Sequence, residues 1–141
     1  MRAFWWALLA SALWGITSVI EKFALGRAEP LPGLFYRCIG AILGLFVLGL
    51  FVLKPDQIRS VDPRSGIFLV VSGFIGSFLA FIAFYHALKV GEVSLVVPVA
   101  SSFFLVAFVL GVVFFGEALT LVKVTAVVLL VAGFWLLKTA F

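Results

Sequence analysis

Long apolar blocks alternate with short polar ones along this chain. Apolar runs occupy residues 5–25, 33–53, 66–88, 93–115 and 119–137. A run of about 18 or more such residues crosses a bilayer as a helix. The pattern therefore predicts an all-α integral membrane protein with five transmembrane helices. Five is odd, so the N- and C-termini fall on opposite sides. The connectors 26–32, 54–65, 89–92 and 116–118 are short, and only 54–65 has room for more than a turn. It carries Pro55-Asp56 and Asp62-Pro63, both turn formers. Residues 1–141 then form one transmembrane domain, and whatever the protein does happens within the bilayer. Barrel strands are disfavoured because the runs are continuous rather than alternating. A cleaved signal peptide fits the first run poorly: the run is too long and ends in Glu21-Lys22-Phe23 instead of small residues.

Composition sharpens this picture. The chain is 65% hydrophobic and 11% charged, whereas a soluble domain carries about 45–50% apolar and about 25% charged residues. That excludes a soluble globular domain and a disordered tail. Cys38 is the single cysteine, which excludes an intramolecular disulfide and a multi-cysteine metal site. The net charge is +4, but the basic residues lie between apolar blocks and read as topology signals, not as a nucleic-acid surface. Arg2, Lys54, Arg59, Arg64 and Lys123 fall on the N-terminal side; Lys22, Arg27, Lys89 and Lys138 fall on the other, with Arg37 inside the second run near them. The two sides nearly balance. Either the 54–65 loop fixes one orientation, or the chain inserts both ways and pairs antiparallel.

Small residues let helices approach closely in lipid. Gly40 and Gly44, then Gly73, Gly76, Ser77 and Ala80, and finally Ala107 and Gly111 recur at three- and four-residue spacing. They are expected to face neighbouring helices, within one chain or across a dimer. Ionisable residues inside spans are costly and point to function. Glu21, Lys22, Arg37, His86 and Lys89, with Tyr85, sit at matching depth near the same end of three spans. Glu21 and Arg37 lie on consecutive antiparallel spans and are expected to pair. Snorkelling with one structural salt bridge is one reading; a polar gate built from Glu21, Arg37, His86 and Lys89 is the other. Pro98 frees the carbonyl of Ser94, and Ser101 and Ser102 follow it. Ser11, Trp14 and Ser18 share one face of the first span. Substrate is therefore expected beside Ser11, Trp14, Ser18, Tyr85, Pro98 and Ser101, unless the proline kink serves packing alone.

Catalytic patterns are absent: no nucleophile–histidine–carboxylate set, no His-Glu-x-x-His and no phosphate-cradling Gly-rich loop followed by Lys. One histidine and one cysteine do not make a metal cage. No enzyme activity, metal or cofactor is expected.

Several local patterns together carry a resemblance. Ala12-Leu13-Trp14-Gly15 and Lys22-Phe23-Ala24-Leu25 mark the first span, and Arg37 follows Pro30-Leu31-Pro32. The third span closes Phe84-Tyr85-His86-Ala87-Leu88-Lys89; Pro98 and Gly116-Glu117-Ala118-Leu119-Thr120 follow; the fifth span carries Val131-Ala132-Gly133-Phe134-Trp135. In this order, over nearly the whole chain, the sequence resembles one EamA-type repeat of the drug/metabolite transporter superfamily. The resemblance implies a secondary transporter or exporter of small organic solutes in the cell (inner) membrane, working by alternating access. The common form holds two such repeats in inverted orientation, so a single repeat implies a partner, most simply a second copy in an antiparallel homodimer. The four-span multidrug exporters of the superfamily carry an acidic residue in the first span, and Leu8–Trp14 has none, which counts against their proton-coupled cation export. Glu117 is expected to cap the start of the fifth span. Two other readings stay open: flipping of a lipid or lipid-linked headgroup held by the Glu21, Arg37, His86 and Lys89 cluster, and a non-transporting accessory subunit of a membrane complex.

Overall fold

A computed structural model describes residues 2–139, apart from the side chain of Lys138. Those residues contain no strand. The helices are α1 (Arg2–Leu25), α2 (Pro30–Val47), the short α3 (Pro55–Arg59), α4 (Pro63–Phe74), α5 (Ala80–Val90), α6 (Val93–Ser101), α7 (Phe103–Phe115) and α8 (Leu121–Lys138). A π-helical turn, Leu48–Val52, extends α2, and another, Ile75–Leu79, joins α4 to α5. Four helical stretches are long and apolar enough to cross a membrane: Arg2–Leu25, Pro30–Val52, Pro63–Val90 and Val93–Phe115. The fifth apolar helix, Leu121–Leu137, is shorter.

The helix starts differ from the apolar pattern for identifiable reasons. Both α2 and α4 begin three residues before their apolar runs, because Pro30 and Pro63 take the first helical position. A missing N–H costs nothing there. Asp62 caps α4 by accepting from the Ser65 backbone N–H at 2.9 Å. The helix α8 begins two residues late because Thr120 is its cap, accepting from the Lys123 N–H at 3.3 Å. Glu117 therefore does not cap α8, as the sequence suggested. It reaches forward instead, and its carboxylate pairs with the Lys123 ammonium at 3.1 Å. The apolar run 93–115 is two helices rather than one: α6 continues past Pro98 to Ser101, and the chain tightens at Ser102, whose N–H bonds the Val99 carbonyl at 3.0 Å. Gly116 ends α7 in the left-handed region, with φ of 62°, where a Cβ is penalised.

The chain divides into two compact units, Ile20–Val90 and the pair of segments Met1–Val19 and Gly91–Phe141. In Ile20–Val90, α2 packs on α5. Leu25, Leu34, Tyr85 and Leu88 are buried. The close approach falls at Gly33, where a Cβ would stand 3.1 Å from Leu25 Cδ2 and 3.5 Å from Tyr85 Cε2. In the other unit α6 packs against α8, Val96 is buried, and the Phe104 and Phe134 rings stack at 5.9 Å.

The glycines of the small-residue stripes in α2 and in the Pro63–Val90 helix do not fill the intrachain role. A Cβ at Gly40, Gly44, Gly73 or Gly76 would meet nothing within 4 Å, so helices of the Ile20–Val90 unit do not meet there. Gly111 is different, because a Cβ would touch the Glu117 carboxylate at 3.4 Å.

Candidate functional site

The polar residues of the Ile20–Val90 unit converge where the end of α1, the first turns of α2 and the last turns of α5 come together. Glu21, near the end of α1, is buried. Its Oε1 accepts from Arg37 Nε at 3.1 Å and from the Tyr85 hydroxyl at 3.0 Å. The expected Glu21–Arg37 pair is therefore formed, and Tyr85 completes it. The Arg37 guanidinium lies 3.5 Å above the Phe81 ring. Its Nη1 stands 3.5 Å from the carbonyl of Ser77, inside the Ile75–Leu79 π turn. A π turn shifts the helix hydrogen-bond register by one residue, and such turns recur at functional sites.

Because α2 starts at Pro30, Arg37 is about 10 Å along the helix at about 1.5 Å per residue. The helix Pro63–Val90 has 28 residues, about 42 Å, against a hydrocarbon core of about 30 Å. Phe81, under the guanidinium, lies about 7 Å from the midpoint of that helix. With that helix centred on the hydrocarbon core, the guanidinium falls inside it, where a charge needs partners. Glu21 supplies a charged one, the Phe81 face a weaker one.

Two lysines close the same end reciprocally. Lys89, in the last turn of α5, donates to the carbonyls of Leu25 and Ala28, both at 2.9 Å, at the end of α1. Lys22, in the last turn of α1, donates to the carbonyl of Leu88 at 2.7 Å, with the Lys89 carbonyl at 3.4 Å, at the end of α5. Each lysine satisfies carbonyls that the other helix leaves without an intrahelical partner, and each places positive charge at a negative helix end. Lys89 also lies 3.6 Å from the exposed Glu29 carboxylate.

Of the residues expected to form a polar gate, Glu21 and Arg37 meet directly and Lys89 closes the helix ends beside them. His86 does not join: it is exposed, and its Nδ1 lies 2.7 Å from the Ile82 carbonyl of its own helix. Of the residues expected beside substrate, Tyr85 is buried in the cluster. Ser11 and Trp14 are exposed on α1, and Ser18 is buried with its hydroxyl donating to the Trp14 carbonyl at 2.9 Å. Ser101 is exposed and donates to the Val97 carbonyl at 2.8 Å, one turn back along α6; Pro98 is half-buried. Sequence reasoning missed Phe81 and the Ser77 carbonyl. Phe81 stands four residues before Tyr85, so both fall on one helical face, and that spacing was readable. The π turn left no such signal.

Comparison with known proteins places the chain. The EamA-like transporter family matches residues 1–139. A Sinorhizobium protein described as an uncharacterized transporter in the cobO 3′ region is 28% identical over 135 residues, covering 94% of this chain and 93% of that protein. An uncharacterized protein of Methanocaldococcus jannaschii is 29% identical over 134 residues, 93% of this chain and 92% of its own. No solved structure matches.

Proposed function

This chain belongs to the EamA-like transporter family, within the drug/metabolite transporter superfamily, and from that premise we propose that it carries small organic solutes across the cell membrane by alternating access. The observation that carries the reading is the extent of the match: one family repeat runs along residues 1–139, and the two relatives are of nearly the same length. A single repeat leaves half of a two-repeat carrier to be supplied. In this reading a second copy supplies it, inserted antiparallel, and α8 crosses the bilayer as the fifth span, with the termini on opposite sides. The nearly balanced basic residues support insertion in both orientations.

Two kinds of residue serve the solute in this account. The α1 face of Ser11, Trp14 and Ser18 and the α6 segment of Pro98 and Ser101 offer an aromatic surface, hydroxyls and a freed carbonyl, the groups from which midplane sites are made. The Glu21–Arg37–Tyr85 cluster is the polar gate. No chemical step on the solute is involved. The test is tag accessibility at both termini in intact cells, combined with cross-linking of single-cysteine variants. Termini reached from both sides, with cross-linked dimers, fit the proposal. A single orientation together with a purely monomeric protein that still transports after reconstitution rules it out. Pro98→Ala is expected to restore a straighter helix and lower transport while leaving expression and oligomer size unchanged, since regaining a helical donor in lipid costs little.

A further inference from the structure

The Arg37 guanidinium carries five N–H donors. Two contacts are accounted for: Nε donates to Glu21, and Nη1 has only the 3.5 Å approach to the Ser77 carbonyl. Nη2 has no hydrogen-bond partner among the described residues. Glu21 therefore occupies the Nε side of the fork, and the Nη1–Nη2 edge keeps donors beyond the one approach to Ser77. The Arg37 side chain is 27% exposed while Glu21 is 8% exposed, so of the two partners Arg37 is the more accessible. Phe81 holds the guanidinium plane from one face at 3.5 Å, and the Tyr85 hydroxyl holds Glu21 in place by donating to the same oxygen, Oε1, that Arg37 uses. The result is a fixed, planar, cationic fork at membrane depth with unused donors.

We propose that the Nη1–Nη2 edge of Arg37 receives an oxyanion, a carboxylate or a phosphate. This deepens the transport reading and rests on it, because it assigns the cargo an anionic group. Planar oxyanions accept two parallel bonds from a guanidinium edge, which lysine does not offer. The surroundings suit that ligand. Lys22, Arg27, Arg37 and Lys89 stand against Glu21 and Glu29 at this end of the Ile20–Val90 unit, a surplus of two positive charges counted from the sequence (four minus two). Glu21 then acts as the resident anion: it keeps the guanidinium neutralised when the site is empty and competes with the incoming oxyanion when it is not. That role gives Glu21 and Arg37 opposite effects on binding, although they form one ion pair.

The experiment uses the full chain in maltoside micelles free of phosphate. Thermal stability is followed during titration with benzoate, with inorganic phosphate, and with added phosphatidylglycerol. Wild type is expected to show a saturable rise in melting temperature with at least one of the three. Benzoate or inorganic phosphate would identify a free solute as the source, and phosphatidylglycerol alone a lipid headgroup. Glu21→Gln, which keeps a neutral acceptor for Tyr85 and Arg37 but removes the competing charge, should bind the responding probe about tenfold more tightly. Arg37→Gln should abolish the response, and the double variant Glu21→Gln/Arg37→Gln, which leaves no unpaired charge, should do the same if the single variant fails to fold. Arg64→Gln, at the start of α4, should respond like wild type. A retained response in the double variant, a weakened one in Glu21→Gln, or no saturable response in wild type to any of the three would overturn the assignment. Because the readout is binding, a protein that binds with this pattern but moves no solute would contradict the transport reading and leave the oxyanion site standing.

Discussion

Replacing Glu21 tests the architecture of the polar cluster, and its size follows from the geometry. Oε1 accepts two hydrogen bonds, from Arg37 Nε at 3.1 Å and the Tyr85 hydroxyl at 3.0 Å. Bonds to a charged group contribute about 1.5–3 kcal/mol each, neutral ones about 0.5–1.5. Glu21→Gln keeps an acceptor, but the Tyr85 bond becomes neutral and the Arg37 guanidinium loses its counter-charge, so the loss is about 2–3 kcal/mol. Glu21→Ala removes the acceptor and leaves the guanidinium without its counter-charge, a loss of about 3–5 kcal/mol. Adding Arg37→Gln to Glu21→Gln removes the orphaned charge. The double variant should therefore lose less than the sum of the two single losses, by about 1–3 kcal/mol. Tyr85→Phe should cost about 1.5–3 kcal/mol, the value of its one bond to the carboxylate. The assay is unfolding in mixed micelles of increasing dodecyl sulfate content, followed by helical ellipticity, for wild type, both single variants and the double. Additivity to within about 0.5 kcal/mol would show that the two charges do not stabilise each other, and the buried pair would lose its structural role.

The same titration serves the helix-end lysines. Lys22→Met and Lys89→Met keep the apolar stem but release carbonyls at the ends of α5 and α1, and each should cost about 1–2 kcal/mol. Glu29→Gln should change little, because Glu29 is 75% exposed. Gly116→Ala forces a Cβ into the left-handed region at φ of 62° and should cost about 1–2 kcal/mol. Gly40→Ala, where a Cβ meets open space in mid-helix, should be neutral or stabilising by up to about 1 kcal/mol; equal losses at the two glycines would refute the conformational account. Asp62 lies in the loop before α4, where the Ser65 backbone N–H holds its carboxyl below the ordinary aspartate value. A lowered folded-state value means the cap is present above the ordinary aspartate pKa and is lost as pH falls through the lowered one. The Ser65 amide resonance should shift in that acidic window in wild type and not in Asp62→Ala.

Much of the fold was legible because lipid imposes a simple rule. Apolar runs long enough to span became helices, and the four longest were located to within three residues at each end. The boundaries moved where local capping overrides hydropathy: Pro30, Pro63 and Thr120 set the starts of α2, α4 and α8. The break after Ser101 was hinted at by Pro98, but its position four residues later depends on how the chain tightens at Ser102. Within the site, the Glu21–Arg37 pair was readable from matching depth on antiparallel neighbours. Tyr85 was placed at the right level, but its bond to Glu21 was not foreseen, because hydroxyl direction depends on helix rotation. His86 was drawn into the cluster by depth alone; its ring turns back onto Ile82 instead. The reciprocal lysine caps and the π turn at Ile75–Leu79 left no periodic signal, since both arise from how the α1 and α5 ends meet and from a register shift inside one helix.

The proposal that this chain carries small solutes through a site at Arg37 is decided by uptake into proteoliposomes. Purified protein is reconstituted, and accumulation of labelled organic acids is measured against protein-free liposomes and against liposomes holding the Glu21→Gln/Arg37→Gln variant. The account predicts saturable accumulation with wild type for at least one acid, falling to the protein-free level with the double variant. Wild-type accumulation equal to that of protein-free liposomes for every acid tested, with native helical ellipticity retained, would contradict it.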